Sequence, residues 1–378
     1  MDIENYHYDV SFLSFERNSN IPEITWKVMQ LLLKAFEEKS ILFKGDQTIK
    51  LAEIGCGPGE RTIGYFRGLH FKSGFDIRAT DINTTFTGQN DYQFAACNND
   101  GSTAATKELN EITNNAGLAV KAFLQAISSQ TMPIKSFSIK RGNSFKDNLL
   151  NLLAWNSDHA EAERKTFSMA FICHCLYYVF DESVPEDSFQ QIFRSLANDI
   201  LSDNGIAIFC HSIPKPDSCM ALQWKFKNQY ITNTNPTTEE YEKNALDCII
   251  KRCCQNYNLP CYKVEFPTKI YFSQAFLNQQ DIARDISRYD ELSQDTIDNI
   301  QRLLLIPRRS LKELYMDQSD IGLNSLFDTV LPIIKQHGGI PEYDALQIVL
   351  SQHASPQLRK DVESIVEQLN SDVLSTFG

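Results

Sequence analysis

The sequence predicts an α/β fold, a doubly wound and mostly parallel sheet of seven strands with helical additions. Three observations carry that expectation. Short apolar runs alternate with helical patterning along most of the 378 residues, the arrangement that builds βαβ units. The first run, Leu51–Ile54, breaks into Gly55-Cys-Gly-Pro-Gly59, as a buried strand does when it turns sharply toward a helix. The second, Phe75–Thr80, ends on Asp81, an acid at the strand end where open α/β sheets hold ligands.

Taken in order, residues 8–40 read as helical, because Trp26, Met29, Leu31, Leu32, Leu33 and Phe36 recur at helical spacing with Asn20 or Pro22 at the start. Strand one is Lys50–Ile54, a helix begins near Glu60, and strand two is Phe75–Thr80. The Asn/Thr/Ala-rich stretch from Thr85 to Met132 carries helical patterning over Glu108–Ser128 and is longer than a crossover needs. Strands three, four and five are Ser136–Lys140, Met169–Cys173 and Ile206–His211, the last preceded by a turn at Asn204-Gly205. Beyond Ser212 the pattern is irregular. Lys263–Phe272 supplies a sixth strand, residues 280–338 are mainly helical with a break at Pro307, and Leu346–Leu350 is the seventh strand after Gly338-Gly339. Pro356–Leu374 carries the apolar stripe of a packing helix.

Composition narrows the function. Hydrophobic residues at 42% and charged residues at 22% suit a globular chain with a sizeable core. A net charge of −12 argues against a nucleic-acid backbone as partner and suits a neutral or cationic small substrate. The opening Met1-Asp-Ile-Glu-Asn5 lacks the basic start of a signal peptide. No run approaches the ~20 apolar residues of a membrane span. The expected location is therefore cytoplasmic, with no membrane partner. Ten cysteines contain no C-x-x-C pair. Cys173-His-Cys175 has a metal-like look, but alternate residues of a strand face opposite ways, so buried thiols and no metal are expected.

The glycine turn carries the chemistry. Gly55, Gly57 and Gly59 allow positive φ and close approach of a ligand to bare backbone. A phosphate loop needs GxxxxGK[ST] and a dinucleotide fingerprint needs GxGxxG, and this spacing is neither. Asp81 is placed to accept hydrogen bonds from two ribose hydroxyls; the competing reading is a helix cap, with Thr84 and Thr85 as rival caps. The turn after strand three offers Asn143 and Ser144 as polar partners for a base and Phe145 to stack on it, or is a plain turn. At the end of strand four, His174, Tyr177 and Tyr178 are the polar members of a segment facing any ligand at the switch point, or else a satisfied histidine and a core tyrosine pair. His211, at the end of strand five, is a second candidate or a structural residue.

With Glu53 before it, the loop reads Glu-x-Gly-x-Gly-x-Gly-Glu, which resembles the first motif of class I S-adenosylmethionine (SAM) methyltransferases. Together with Asp81 and Leu176-Tyr-Tyr-Val-x-Asp181, the order resembles the histamine N-methyltransferase-like group, with patchy coverage of roughly residues 8–280. The resemblance implies a Rossmann-like SAM core over 46–212, a helical cap over 1–45 and substrate-side elements with the remaining strands over 213–350; the helical tail over 351–378 and the 85–132 stretch depart from the group. It implies SAM contacts from Glu53, Gly55, Gly57, Gly59, Asp81, Asn143, Ser144 and Cys173, and chemistry from His174, Tyr177 and Tyr178. For the substrate it points to Glu23 and Trp224. A glutamine of that group is histidine here at 174, and the asparagine near its last strand has no counterpart among Glu342, Tyr343 and Asp344. The expected activity is methyl transfer to a small-molecule acceptor, an amine nitrogen. A protein or peptide methyltransferase and a SAM-binding scaffold without turnover are the alternatives. A nicotinamide dehydrogenase is disfavoured by the glycine spacing.

Overall fold

The computed structural model describes residues 18–41, 48–69, 74–95, 101–112, 116–142, 165–176, 179, 185–215, 218–226, 245–304 and 320–377. Its centre is an eight-stranded sheet: β1 Ile49–Ile54, β2 Phe75–Asp81, β3 Tyr92–Ala95, β4 Ile134–Arg141, β5 Phe167–Cys173, β6 Leu201–Ser212, β7 Cys261–Ile270 and β8 Ile340–Leu350. The strand order is β3-β4-β2-β1-β5-β6-β8-β7. Neighbouring strands from β4 through β2, β1 and β5 to β6 pair in parallel, and β3 pairs antiparallel with β4. Ser351 N donates to Gly205 O, and Ile213 N donates to Tyr343 O, so β8 runs against β6. The order reverses between β1 and β5, which makes their carboxyl ends the switch point of a doubly wound, Rossmann-like sheet.

Helices cover both faces of the parallel strands, which explains why those strands are nearly continuously buried. On one face Phe66, from the helix Glu60–Phe66, packs on Phe75 and Phe171 with ring centroids 4.7 and 5.7 Å apart. On the other, Ala52, Ile54, Ala170, Ile172 and Phe209 pack with Phe189, Phe193, Ile250 and Cys254. The chain divides into two compact units of three segments each. One comprises Met1–Thr25, Ser212–Ala245 and Phe266–Asp344; the other comprises Trp26–His211, Leu246–Glu265 and Ala345–Gly378. The first has its own core around Ile270, Phe276, Ile300, Phe327, Val330 and Ile340. Within it Asp344 accepts hydrogen bonds from Ser212 and Thr268, and Glu342 from Met220 N.

The seven expected strands are present and an eighth adds to them; six are extended by a residue or several, while the one expected over Lys263–Phe272 runs from Cys261 to Ile270. β3 escapes the sequence because only one of its four residues, Phe94, is buried, so no alternation marks it. Asn204-Gly205 is not a turn ahead of a strand: it lies inside β6, where Phe167 pairs with Leu201 and Met169 already pairs with Ile206. A Cβ at Gly205 would stand 2.8 Å from Phe167 O, so that irregularity needs glycine. The single helix expected over Glu108–Ser128 is two, Gly101–Glu111 and Leu118–Ser128. Gly117 stands extended ahead of the second helix, at φ −64° and ψ 159°, and a Cβ there would clash with Phe86 O. Of the helix expected over 8–40, residues 8–17 lie outside the described residues; the described helix begins at Ile21 and runs to Glu38, and before it Ser19 bridges to Ile270, so the chain at 18–20 is not helical.

The helix Leu246–Asn256 leads through a short turn into β7. The final helix, Pro356–Phe377, reaches the outermost strand: Asn370 Nδ2 donates to Lys263 O at 3.0 Å, and its Oδ1 accepts from Glu265 N at 3.2 Å.

Candidate functional site

The loop after β1 is clamped by one carbonyl. Gly55 N and Cys56 N both donate to Thr80 O, at 2.8 and 3.0 Å, which ties the turn to the end of β2. Gly55, Gly57 and Gly59 have φ of 73°, 54° and 77°, the left-handed region that favours glycine. The three glycines differ in their surroundings. A Cβ on Gly55 would lie 2.6 Å from Cys175 Cβ, and one on Gly59 would lie 3.1 Å from Ala119 Cα. A Cβ on Gly57 would meet nothing within 4 Å. Two glycines permit close packing, while the middle one presents bare backbone to open space.

Asp81 joins this loop to the end of β2. It is 7% exposed; its Oδ2 accepts from Gly57 N at 2.8 Å and its Oδ1 from Asn83 N at 2.9 Å. The helix cap beyond it is Asn83, whose side chain accepts from Thr85 N, rather than Thr84 or Thr85. Gly142 N, at the end of β4, donates to Asp81 O at 3.0 Å and brings a third strand end to the same place.

Beneath the loop lies Glu53, 6% exposed. Thr62 Oγ1 donates to its Oε1, and its Oε2 has no hydrogen-bond partner among the described residues. Burial, reinforced by the Asp81 charge and opposed by the Thr62 hydrogen bond, raises its pKa to about 8. At neutral pH Glu53 is mostly a neutral acid.

β5 ends at Cys173, which pairs in register with Cys210 of β6. The strand stops there because His174 takes φ 53°, so the expected strand geometry across Cys173-His174-Cys175 gives way to a left-handed turn. That turn sends Cys175 back beneath the loop, where its Sγ donates to Ile54 O at 3.1 Å. His174 N donates to Cys210 O at 2.8 Å, and its Nε2 lies 3.2 Å from Cys210 Sγ. Burial, then the charges of Arg61 and His211, lower the His174 pKa to about 3, leaving a neutral imidazole. Burial pushes Cys173 up to about 12.

The structure thus gathers Glu53, Gly55, Gly57, Gly59, Asp81, Cys173 and His174 in one unit at the carboxyl ends of β1, β2 and β5. Asn143, Ser144, Phe145, Tyr177 and Tyr178 lie outside the described residues, as does Pro307. Glu23 and Trp224 belong to the other unit: Glu23 is exposed in the first turn of its helix, and Trp224 lies on the helix Cys219–Phe226. His211 is buried and bonded through Nε2 to Gln347 Oε1 at 2.7 Å. Sequence reasoning missed Thr62, Thr80, Cys175 and Ala119, which support the loop from distant positions; Gly117 just before Ala119 was the nearest local signal. Among the described residues no group of three His, Cys, Asp or Glu is placed to hold a metal ion, and no helix is long and apolar enough to cross a membrane.

Strand order, switch point and glycine turn together define a Rossmann-like α/β protein. No family model and no curated protein matches the chain. Among solved structures it is similar to the plantazolicin methyltransferase BpumL in complex with SAH, at 11% identity and a TM-score of 0.34, over 91% of this chain and 89% of that one. It is also similar to geranyl diphosphate C-methyltransferase from Streptomyces coelicolor A3(2), at 10% identity and a TM-score of 0.33, over 84% and 75% of the two chains. A third is the cyclopropane synthase MmaA2 from Mycobacterium tuberculosis, at 10% identity, a TM-score of 0.31, and 84% and 83% coverage.

Proposed function

We propose that the chain is a SAM-dependent methyltransferase acting on a small-molecule acceptor, with an amine nitrogen as the accepting atom. One observation carries the reading: Gly57 holds a left-handed turn with open space where its Cβ would stand, and its N–H is fixed on Asp81. That cradle fits an adenosyl group, which needs bare backbone on one side and a carboxylate for its sugar. SAM, when bound, supplies an electrophilic methyl carbon on a sulfonium.

The roles of the chain's own residues follow. Gly55, Gly57 and Gly59 shape the cradle above Glu53, Asp81 accepts from the ribose hydroxyls, Asn143 and Ser144 serve the base, and Cys173 lines the strand end. On the acceptor side His174, Tyr177 and Tyr178 orient the amine, with Glu23 and Trp224 assigned to the remainder of the substrate. A neutral His174 with a pKa of about 3 is a poor store for the proton an amine must lose. Its task is to hold the nitrogen by a hydrogen bond, so that approach geometry rather than basicity supplies the acceleration. Tyrosine faces favour a cationic amine by roughly 0.5–2 kcal/mol, in keeping with the acidic balance of the chain.

The test is equilibrium binding of SAM and of NAD, followed by transfer of tritiated methyl from SAM to a panel of small amines and to a protein extract. SAM binding with label on an amine supports the proposal. Label on protein alone selects the peptide reading, and binding without transfer selects the scaffold. Failure to bind SAM overturns all three.

A further inference from the structure

β1 and β2 carry two buried carboxyl side chains on one face of the sheet, at the glycine turn. Glu53 pairs in register with Ala79, and Asp81 stands two residues further along β2. Register partners share a face, and so do residues two apart, so Glu53 and Asp81 point the same way. Their surroundings differ. Asp81 takes a backbone N–H on each oxygen, from Gly57 and Asn83. Glu53 takes Thr62 Oγ1 on Oε1, and its Oε2 has no hydrogen-bond partner among the described residues.

A buried, unpartnered oxygen is far costlier as part of an anion than as part of a neutral acid. A second carboxyl on the same face adds repulsion to that cost. Glu53 therefore keeps its proton while the turn is empty, in keeping with the raised value that burial gives it. Its other neighbours supply no charge to offset this. Cys56 in the turn, Cys173 and Cys175 at the end of β5, and Tyr65 on the helix Glu60–Phe66 are all pushed up by burial and stay neutral. His174 is neutral as well. Arg61, on that same helix, acts on Cys173, Tyr65 and His174, whereas Glu53 is governed by burial, Thr62 and Asp81.

We infer that Glu53 is the charge selector of the cradle, giving up its proton when a ligand with a cationic centre enters, so that charged adenosyl ligands are favoured over neutral ones. The inference rests on the SAM reading above. On binding, the O–H bond of Glu53 breaks, its electron pair stays on the carboxylate, and the proton passes to solvent. The cation then faces two carboxylates and gives Oε2 the partner it lacks. SAM offers two such centres, the sulfonium and the ammonium. The free protein holds the proton and the complex does not. SAM affinity therefore rises with pH while free Glu53 is protonated, and levels off once it is ionised.

The experiment is calorimetric titration of the full chain at pH 7 in two buffers of different ionisation enthalpy, which counts the protons released. The ligands are SAM, S-adenosylhomocysteine, which keeps only the ammonium, and methylthioadenosine, which has neither cationic centre. SAM should release close to one proton and methylthioadenosine none. The Kd for SAM should fall about tenfold from pH 6 to pH 7, and that for methylthioadenosine should stay level. Release with S-adenosylhomocysteine as well assigns the ammonium as the partner of Glu53, and release with SAM alone assigns the sulfonium. Glu53→Gln should abolish the release while still binding methylthioadenosine, which also reports that the variant is folded. SAM binding without proton release in the wild-type chain overturns the inference and leaves the methyltransferase reading standing. Equal release with methylthioadenosine, or release that persists in Glu53→Gln, overturns it too. A wild-type chain that binds none of the three ligands overturns both.

Discussion

The backbone N–H of Gly57 donates to Asp81 Oδ2 at 2.8 Å, joining residues that close two adjacent parallel strands. The bond fixes the glycine turn and the carboxylate as one rigid pair, so the hollow and the acid beside it keep a constant separation. Changes at either residue should therefore be felt by a bound ligand first.

Replacing Gly57 with leucine should lower SAM affinity at least a hundredfold, because the side chain enters the open space. Gly68 provides the control: its φ is 81° and its Cβ would also meet nothing within 4 Å. Both Gly57→Leu and Gly68→Leu should lose about 1–2 kcal/mol of stability from left-handed strain. Only the first should lose ligand, measured by calorimetric titration; equal affinity in both variants would remove the cradle assignment.

Asp81→Ala strands two backbone donors that are now paired. Removing a buried acceptor costs about 1–3 kcal/mol, read as a shift in urea midpoint. SAM binding should weaken by a further 5- to 150-fold, about 1–3 kcal/mol for a charge-assisted hydrogen bond. Asp81→Asn, which keeps one oxygen, should recover part of the stability and less of the affinity. Unchanged affinity in Asp81→Ala would leave the carboxylate a purely structural clamp.

Glu53 makes stability fall with rising pH. Its pKa rises from 4.5 to about 8 on folding, so the folded state holds the proton more tightly than the unfolded chain. Its contribution is full below pH 4.5 and is lost as pH climbs through 8. Between pH 5 and 8 the loss is about 2–4 kcal/mol, and Glu53→Gln, which cannot ionise, should flatten that slope. Glu342, also raised by burial, is present in both proteins and cancels in the comparison. Urea denaturation at several pH values reads the difference; parallel slopes would mean that Glu53 is ionised in the fold.

His174 should titrate near pH 3 and stay neutral from pH 5 to 8, visible in ring-proton NMR with His174→Asn as the assignment control. Asparagine tolerates the left-handed φ, so that variant keeps the turn. Turnover should fall at least tenfold while SAM affinity changes less than threefold. A matching loss of both would show that the histidine holds the loop rather than the acceptor.

Much of the sheet was readable because buried parallel strands are short apolar runs with glycine or acid at their ends. Glycine spacing likewise marked the turn, since three left-handed positions leave few other residue choices. What escaped was tertiary. β3 buries one side chain of four and has no period. Gly205 and Gly117 are needed because Phe167 O and Phe86 O stand where their Cβ atoms would go, contacts with no local trace. Glu53 looks like an ordinary charged ligand in sequence, and only its burial beside Asp81 makes it neutral. Asp81 read as either ribose acceptor or helix cap. In the fold the capping duty falls to Asn83, and Asp81 anchors the glycine turn instead.

The outermost strand has consequences of its own. Unpaired backbone along a sheet margin invites another chain to zip onto it. Asn370 occupies that margin, giving Lys263 O a donor and Glu265 N an acceptor. The amide takes up these two groups as the rung of a neighbouring strand would, so a chain adding along this margin has first to displace the terminal helix.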